Sequence, residues 1–174
     1  MKKPLLFDKR LVIWGISLLL YIIALSLPAL AFDIVDNQTK QTSFISVMKG
    51  VEVTIWGLLG LFFLQIPAIG WLANPLYWFS CKLFVHKKYK FSIVSAFIAI
   101  IVGFTGTISA YWLALPNGSS PYSHLLLTKL LPGFWLWLAA PGWLMIIASY
   151  FAYTKHKNRL VLNQKLPRNL FDEK

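Results

Sequence analysis

Four apolar runs, each of about 20 residues and almost free of charge, leave this chain of 174 residues little choice of fold. They cover about 11–31, 51–73, 91–113 and 133–153. A hydrocarbon layer ~30 Å thick is crossed by ~20 helical residues rising ~1.5 Å each. The expected fold is an all-α membrane protein: a four-helix transmembrane bundle forming one domain over residues 1–174, with short interfacial helices. Only 13% of the residues are charged, about half the share of a soluble domain.

The distribution of charge orients the bundle. Lys2, Lys3, Lys9 and Arg10 precede the first run, Lys82, Lys87, Lys88 and Lys90 lie between the second and third, and Lys155, Lys157, Arg159, Lys165, Arg168 and Lys174 follow the fourth. The other two connections hold Lys40, Lys49 and Lys129. Cytoplasmic loops collect Lys and Arg, so both termini are expected in the cytoplasm, and a bacterial inner membrane suits the pattern. The net charge of +11 is thereby explained by topology, and nucleic acid is not an expected partner. Trp56, Trp112, Trp135 and Trp137 are expected at the outer helix ends. Trp14, Trp71, Tyr150 and Tyr153 are expected toward the inner ends. The start also carries elements of a secretory signal, Lys2-Lys3 and a small-x-small Ala29-Leu30-Ala31. Its apolar run over 11–27 exceeds the usual ~7–15 residues, so a retained first span is expected.

The second run continues apolar to Cys81, too long for one straight crossing. Asn74-Pro75 offers a helix start, so an interfacial helix is expected over about 75–85, with Lys82, Lys87, Lys88 and Lys90 at the membrane surface near anionic phospholipid headgroups. The connection over 32–50 is long for a helix–helix link. The segment 123–131 is rich in leucine and reads as an amphipathic piece lying on the outer surface. These connections read as lids over the bundle or as a face for a partner.

In the third run Ser92, Ala96, Ala99, Gly103, Gly106 and Ala110 recur at intervals of three and four, so they share one helix stripe. Small residues let membrane helices approach closely. The stripe is a packing seam, either within the bundle or toward a membrane-protein partner or second copy. Gln65 is a strongly polar side chain deep in the second run, close to Pro67. It reads as a hydrogen-bonding tie between helices or as part of a polar cavity. Pro141-Gly142 marks a plausible kink.

Chemistry is sparse. No charge lies at the centre of a run, and Glu52 sits about a turn inside the second, near Lys49. His86, His124 and His156 lack ligand spacing. Cys81 is the lone cysteine, which rules out an internal disulfide and disulfide oxidoreductase chemistry; it reads as a packing residue. Pro116-Asn117-Gly118-Ser119-Ser120-Pro121 is turn-like rather than a nucleophile site. No catalytic residue, metal site or cofactor is expected.

The stretch Trp71-Leu72-Ala73-Asn74-Pro75-Leu76, with Ser26-Leu27-Pro28-Ala29-Leu30, resembles a pattern in small uncharacterised inner-membrane proteins of Gram-negative bacteria. The resemblance covers roughly 20–110, implies the same location and carries no activity. Three roles fit the residues. The first is a non-enzymatic accessory or assembly subunit acting through helix packing. The second is an immunity protein against a pore-forming toxin; it has the size and topology of some colicin immunity proteins but no matching motif. The third is a small carrier or lipid-handling protein, which requires a cavity near Gln65, Ser95, Thr105 or Thr107.

Overall fold

The computed structural model describes residues 9–165. Its elements run α1 Lys9–Ser26, β1 Pro28–Asp36, β2 Thr42–Lys49, α2 Gly50–Phe62, a 3-10 helix Ile66–Leu72, α3 Ala73–Val85, α4 Tyr89–Ser109, β3 Leu115–Pro116, β4 Ser123–Leu130 and α5 Pro132–Lys165. Among the described residues two helical stretches, Tyr89–Ser109 and Pro132–Leu160, are long and apolar enough to cross a membrane. A further pair, Gly50–Phe62 with Ile66–Val85, passes the same test only when taken together, and it is bent by 118°. Arg10–Ser26 is apolar but shorter.

The chain is not all-α. An antiparallel sheet of order β2-β1-β4-β3 caps one end of the helices. The first run stops being helical at Ser26, because Pro28 has no N–H to donate and holds Leu27 away from helical geometry. From there the apolar period changes to two. Leu30, Phe32 and Ile34 join one core cluster, as alternate strand residues on one face should. The connection over 32–50 is therefore a hairpin. The leucine-rich 123–131, expected as an amphipathic surface piece, contributes strand β4 to the sheet: Leu125 and Leu127 are buried, Leu126 is half-buried and Lys129 is exposed.

The second run is not one crossing helix. α2 ends in a Schellman turn, in which Leu64 N–H donates to Leu61 and Gln65 N–H donates to Gly60. The turn places Leu64 in the left-handed region at φ 55°. Pro67 then lies in the first turn of the 3-10 helix, where a missing N–H costs nothing. The helix expected over 75–85 is present. It belongs to α3, with Tyr77, Ser80 and Phe84 fully buried. The fourth run is helical from Pro132 through Pro141 to Lys165, well past 153.

Two cores hold these parts together. The first lies among α1, α3, α4 and α5 and contains Tyr21, Tyr77, Cys81, Phe84, Ala140 and Leu144. The second joins the inner sheet face to the ends of α4 and α5 through Phe32, Leu127, Ala110 and Phe134.

Candidate functional site: an apolar cavity beneath the sheet

The bend between α2 and the 3-10 helix leaves a space below the sheet. This cavity has a volume of about 280 Å³, close to the lower end of the ~300–1,000 Å³ found for small-molecule pockets. Its roof is Leu30 and Phe32 of β1 with Met48 of β2. Val53, Gly57 and Gly60 of α2 form one wall; Thr107 and Ala110 at the end of α4, with Phe134 and Trp137 of α5, form others. Trp56, Leu59, Phe63, Pro116 and Gly118 are exposed members of the lining. Glycines at 57 and 60 bring Trp71 and Gln65 against α2, and the Trp71 indole donates to the Thr54 carbonyl at 2.8 Å.

At the closed end stands Asn74, 6% exposed. Its Oδ1 accepts from Tyr21 Oη at 3.0 Å and from Trp137 Nε1 at 2.9 Å. An indole nitrogen only donates, so this contact fixes which way the carboxamide points. The network continues inward. Tyr21 stacks on Tyr77 at 5.1 Å, and Ser17 Oγ lies 2.9 Å from Tyr77 Oη and donates to the Ala140 carbonyl at 2.8 Å. None of the residues lining the cavity is charged.

The residues singled out in the sequence separate into distinct places. The stripe on α4 faces the 3-10 helix and α3. The backbone of Gly106 lies directly on that of Gly70, and a methyl group on Gly103 would meet Ala73 and Trp137. Ala96, Ala99 and Ser92 are completely buried, and Ala110 nearly so. Ser92 and Ser80 exchange side-chain to carbonyl bonds of 3.0 and 2.8 Å. Gln65 and Thr107 line the cavity. Ser95 donates instead to the Leu76 carbonyl, and Thr105 to Ile101 within its own helix. Asn74 is buried near the start of α3, and Trp71 sits at the sheet end against α2. The available signal was an Asn followed by Pro inside an uninterrupted apolar run, where a polar side chain needs a buried partner.

At the end away from the sheet, Lys87, Lys155 and Arg159 border an open groove with Tyr89, Phe151, Thr154 and Asn158. Lys82 ends α3, and Lys88 and Lys90 flank the start of α4. Tyr89 stacks on Phe151, and Arg10 donates to its hydroxyl at 3.4 Å. At the hairpin tip the backbone N–H groups of Thr39 and Gln38 donate to Asp36 and hold its carboxyl below the usual carboxylate range. Glu52 accepts from the backbone N–H of Lys49 at 2.9 Å, capping α2. His124 meets Asn37 across the sheet tip. Among the described residues no group of three or more His, Cys, Asp or Glu side chains is placed to hold a metal ion.

No protein-family model, curated protein or solved structure matches this chain.

Proposed function

We propose that this protein is a non-enzymatic inner-membrane protein that binds a hydrocarbon-chain ligand, as a small carrier or lipid-handling protein, in the cavity beneath its sheet. The observation that carries this reading is the cavity itself: apolar, uncharged and walled on one side by α2, whose outward face is also apolar. Ile55, Leu58 and Phe62, none of which lines the cavity, are all exposed. A helix apolar on both faces fits a position between a ligand space and lipid.

In this reading α1, the 3-10 helix continued by α3, α4 and α5 make the four crossings. The sheet lies outside and both termini lie in the cytoplasm, where the positive residues collect. The groove of Lys87, Lys155 and Arg159 then meets anionic phospholipid headgroups. The cavity opens at the level of the outer leaflet, and α2 with its Phe62–Leu64 tip is the partition a chain must pass. A second reading, an assembly subunit, draws on β2, an edge strand with Phe44, Ile45 and Val47 exposed.

A lipid with a photoactivatable diazirine on its acyl chain tests the first reading in native membranes. Crosslinks to Val53, Thr107 and Phe134 are expected in addition to the general labelling of exposed residues such as Leu19 and Val94. They should fade in Val53→Trp, which fills the cavity. Labelling confined to the exposed residues would overturn the reading.

A further inference from the structure

A single atom narrows the class of ligand, given that the cavity holds one. Asn74 is 6% exposed, and both bonds that it makes use Oδ1, from Tyr21 and Trp137. Since the indole fixes the orientation of the amide, the other end of the group must be the NH2. Among the described residues this Nδ2 has no hydrogen-bond partner. Nor is it among the fully enclosed unpaired atoms, of which Trp14 Nε1 is the example. An atom of a residue this buried, open to a cavity that the residue lines, presents its two N–H groups to that cavity. A buried donor left unmet is costly, whereas one met by a carbonyl is not.

The remaining surroundings specify the acceptor. No Lys, Arg, His, Asp or Glu lines the space, so an ionised headgroup would stand there without a counter-charge. Gln65 adds a second uncharged carboxamide in the same lining. Phe32, Phe134 and Trp137 supply apolar surface around the rest.

We infer that the cavity selects a molecule with a hydrocarbon chain and an uncharged carbonyl group, as in an ester, amide, ketone or quinone, and that Asn74 Nδ2 donates to the carbonyl oxygen. This inference rests on the proposed ligand-binding role and specifies the head of the ligand. It makes Asn74 a specificity residue with two duties: its oxygen holds Tyr21 and Trp137, and its nitrogen reads the ligand.

A matched pair of probes, heptadecane and 2-heptadecanone, differs only in the acceptor. Each is titrated against the diazirine lipid on purified full-length protein, and competition at Val53 and Thr107 is read. The ketone is expected to compete about tenfold better, the factor that one hydrogen bond of ~1.4 kcal/mol supplies. Asn74→Asp keeps an oxygen toward Tyr21 and Trp137 and, when ionised, turns the second position into an acceptor, which should abolish the preference. Burial favours the protonated acid there, which can itself donate, so Asn74→Leu is the second variant: it removes every donor at this position, and in it the ratio of ketone to alkane competition should fall to parity whatever happens to the affinity for either probe. Infrared spectra of carbonyl-labelled ketone on the wild-type protein need no variant, and the C=O band should move to lower frequency on binding. Equal competition by the two probes with an unshifted band would overturn the inference while leaving the cavity role standing. Failure of both probes to compete would overturn the cavity role as well.

Discussion

Trp137 Nε1 lies 2.9 Å from Asn74 Oδ1, although 63 residues separate the two in the chain. This contact and the one from Tyr21 tie α5, α3 and α1 together at the closed end of the cavity. Each bond inside such a bundle is worth roughly 0.6–2 kcal/mol. Tyr21→Phe removes one donor and keeps the ring stacked on Tyr77, so a loss within that range is expected in thermal unfolding in detergent. Trp137→Phe removes a donor and buried surface together and should cost more.

The seam on α4 gives an ordering. A methyl group at Gly106 would overlap the backbone of Gly70, whereas at Gly103 the obstacles are Trp137 Cη2 at 2.8 Å and Ala73 Cβ at 3.0 Å. Backbone yields less readily than a ring edge. Gly106→Ala should lose about 1–3 kcal/mol and Gly103→Ala less, while leucine at either position should pry the helices apart. Thermal melts of the four variants check the order. Equal melting temperatures for the two alanine variants would count against this packing.

Leu64→Gly tests the bend by its sign. In the left-handed region a branched residue costs ~1–2 kcal/mol that glycine avoids. The side chain is 88% exposed, so little packing is lost. A gain of roughly 0.5–1 kcal/mol is expected. Were 51–73 one straight helix, the same change would cost ~1 kcal/mol.

Asp36 supplies a pH dependence. Its carboxylate accepts from Gln38 and Thr39 at 2.7 and 2.8 Å, so its folded pKa lies below the unfolded one. The ordering of the hairpin tip that it provides is then complete above the unfolded value and lost as pH falls through the folded value. Amide exchange at Gln38 and Thr39 should therefore lose protection in acid, after correction for intrinsic exchange. Asp36→Asn should flatten that change.

How much of this was legible in the residues follows from the length of each signal. The stripe from Ser92 to Ala110 is a long period, and the helix that carries it lies close to the expected span. The sheet was hidden because Leu30 and Phe32 continue an apolar run, so a switch from period 3.6 to period two occurs with no polar break. The same holds for Leu125 to Leu131, where apolar residues occupy both faces of a strand only partly covered. The bend at Leu64 was hidden for a different reason. The position needed glycine by local rules but holds leucine, and a Pro67 inside an apolar run does not by itself announce that a new helix starts there. Gln65 stood out as the polar residue deep in a run. Asn74 did not, because Asn-Pro also has a strong meaning as a helix start; its burial shows only once α1 and α5 bring Tyr21 and Trp137 to its Oδ1.

Native mass spectrometry of the protein released gently from membranes addresses the central claim that the cavity holds one chain-bearing molecule. We expect a single bound species of lipid-like mass that survives activation sufficient to strip surface lipid, and its loss in Val53→Trp with the fold intact. A bare protein mass under the mildest release, or an identical adduct pattern in both proteins, would contradict it.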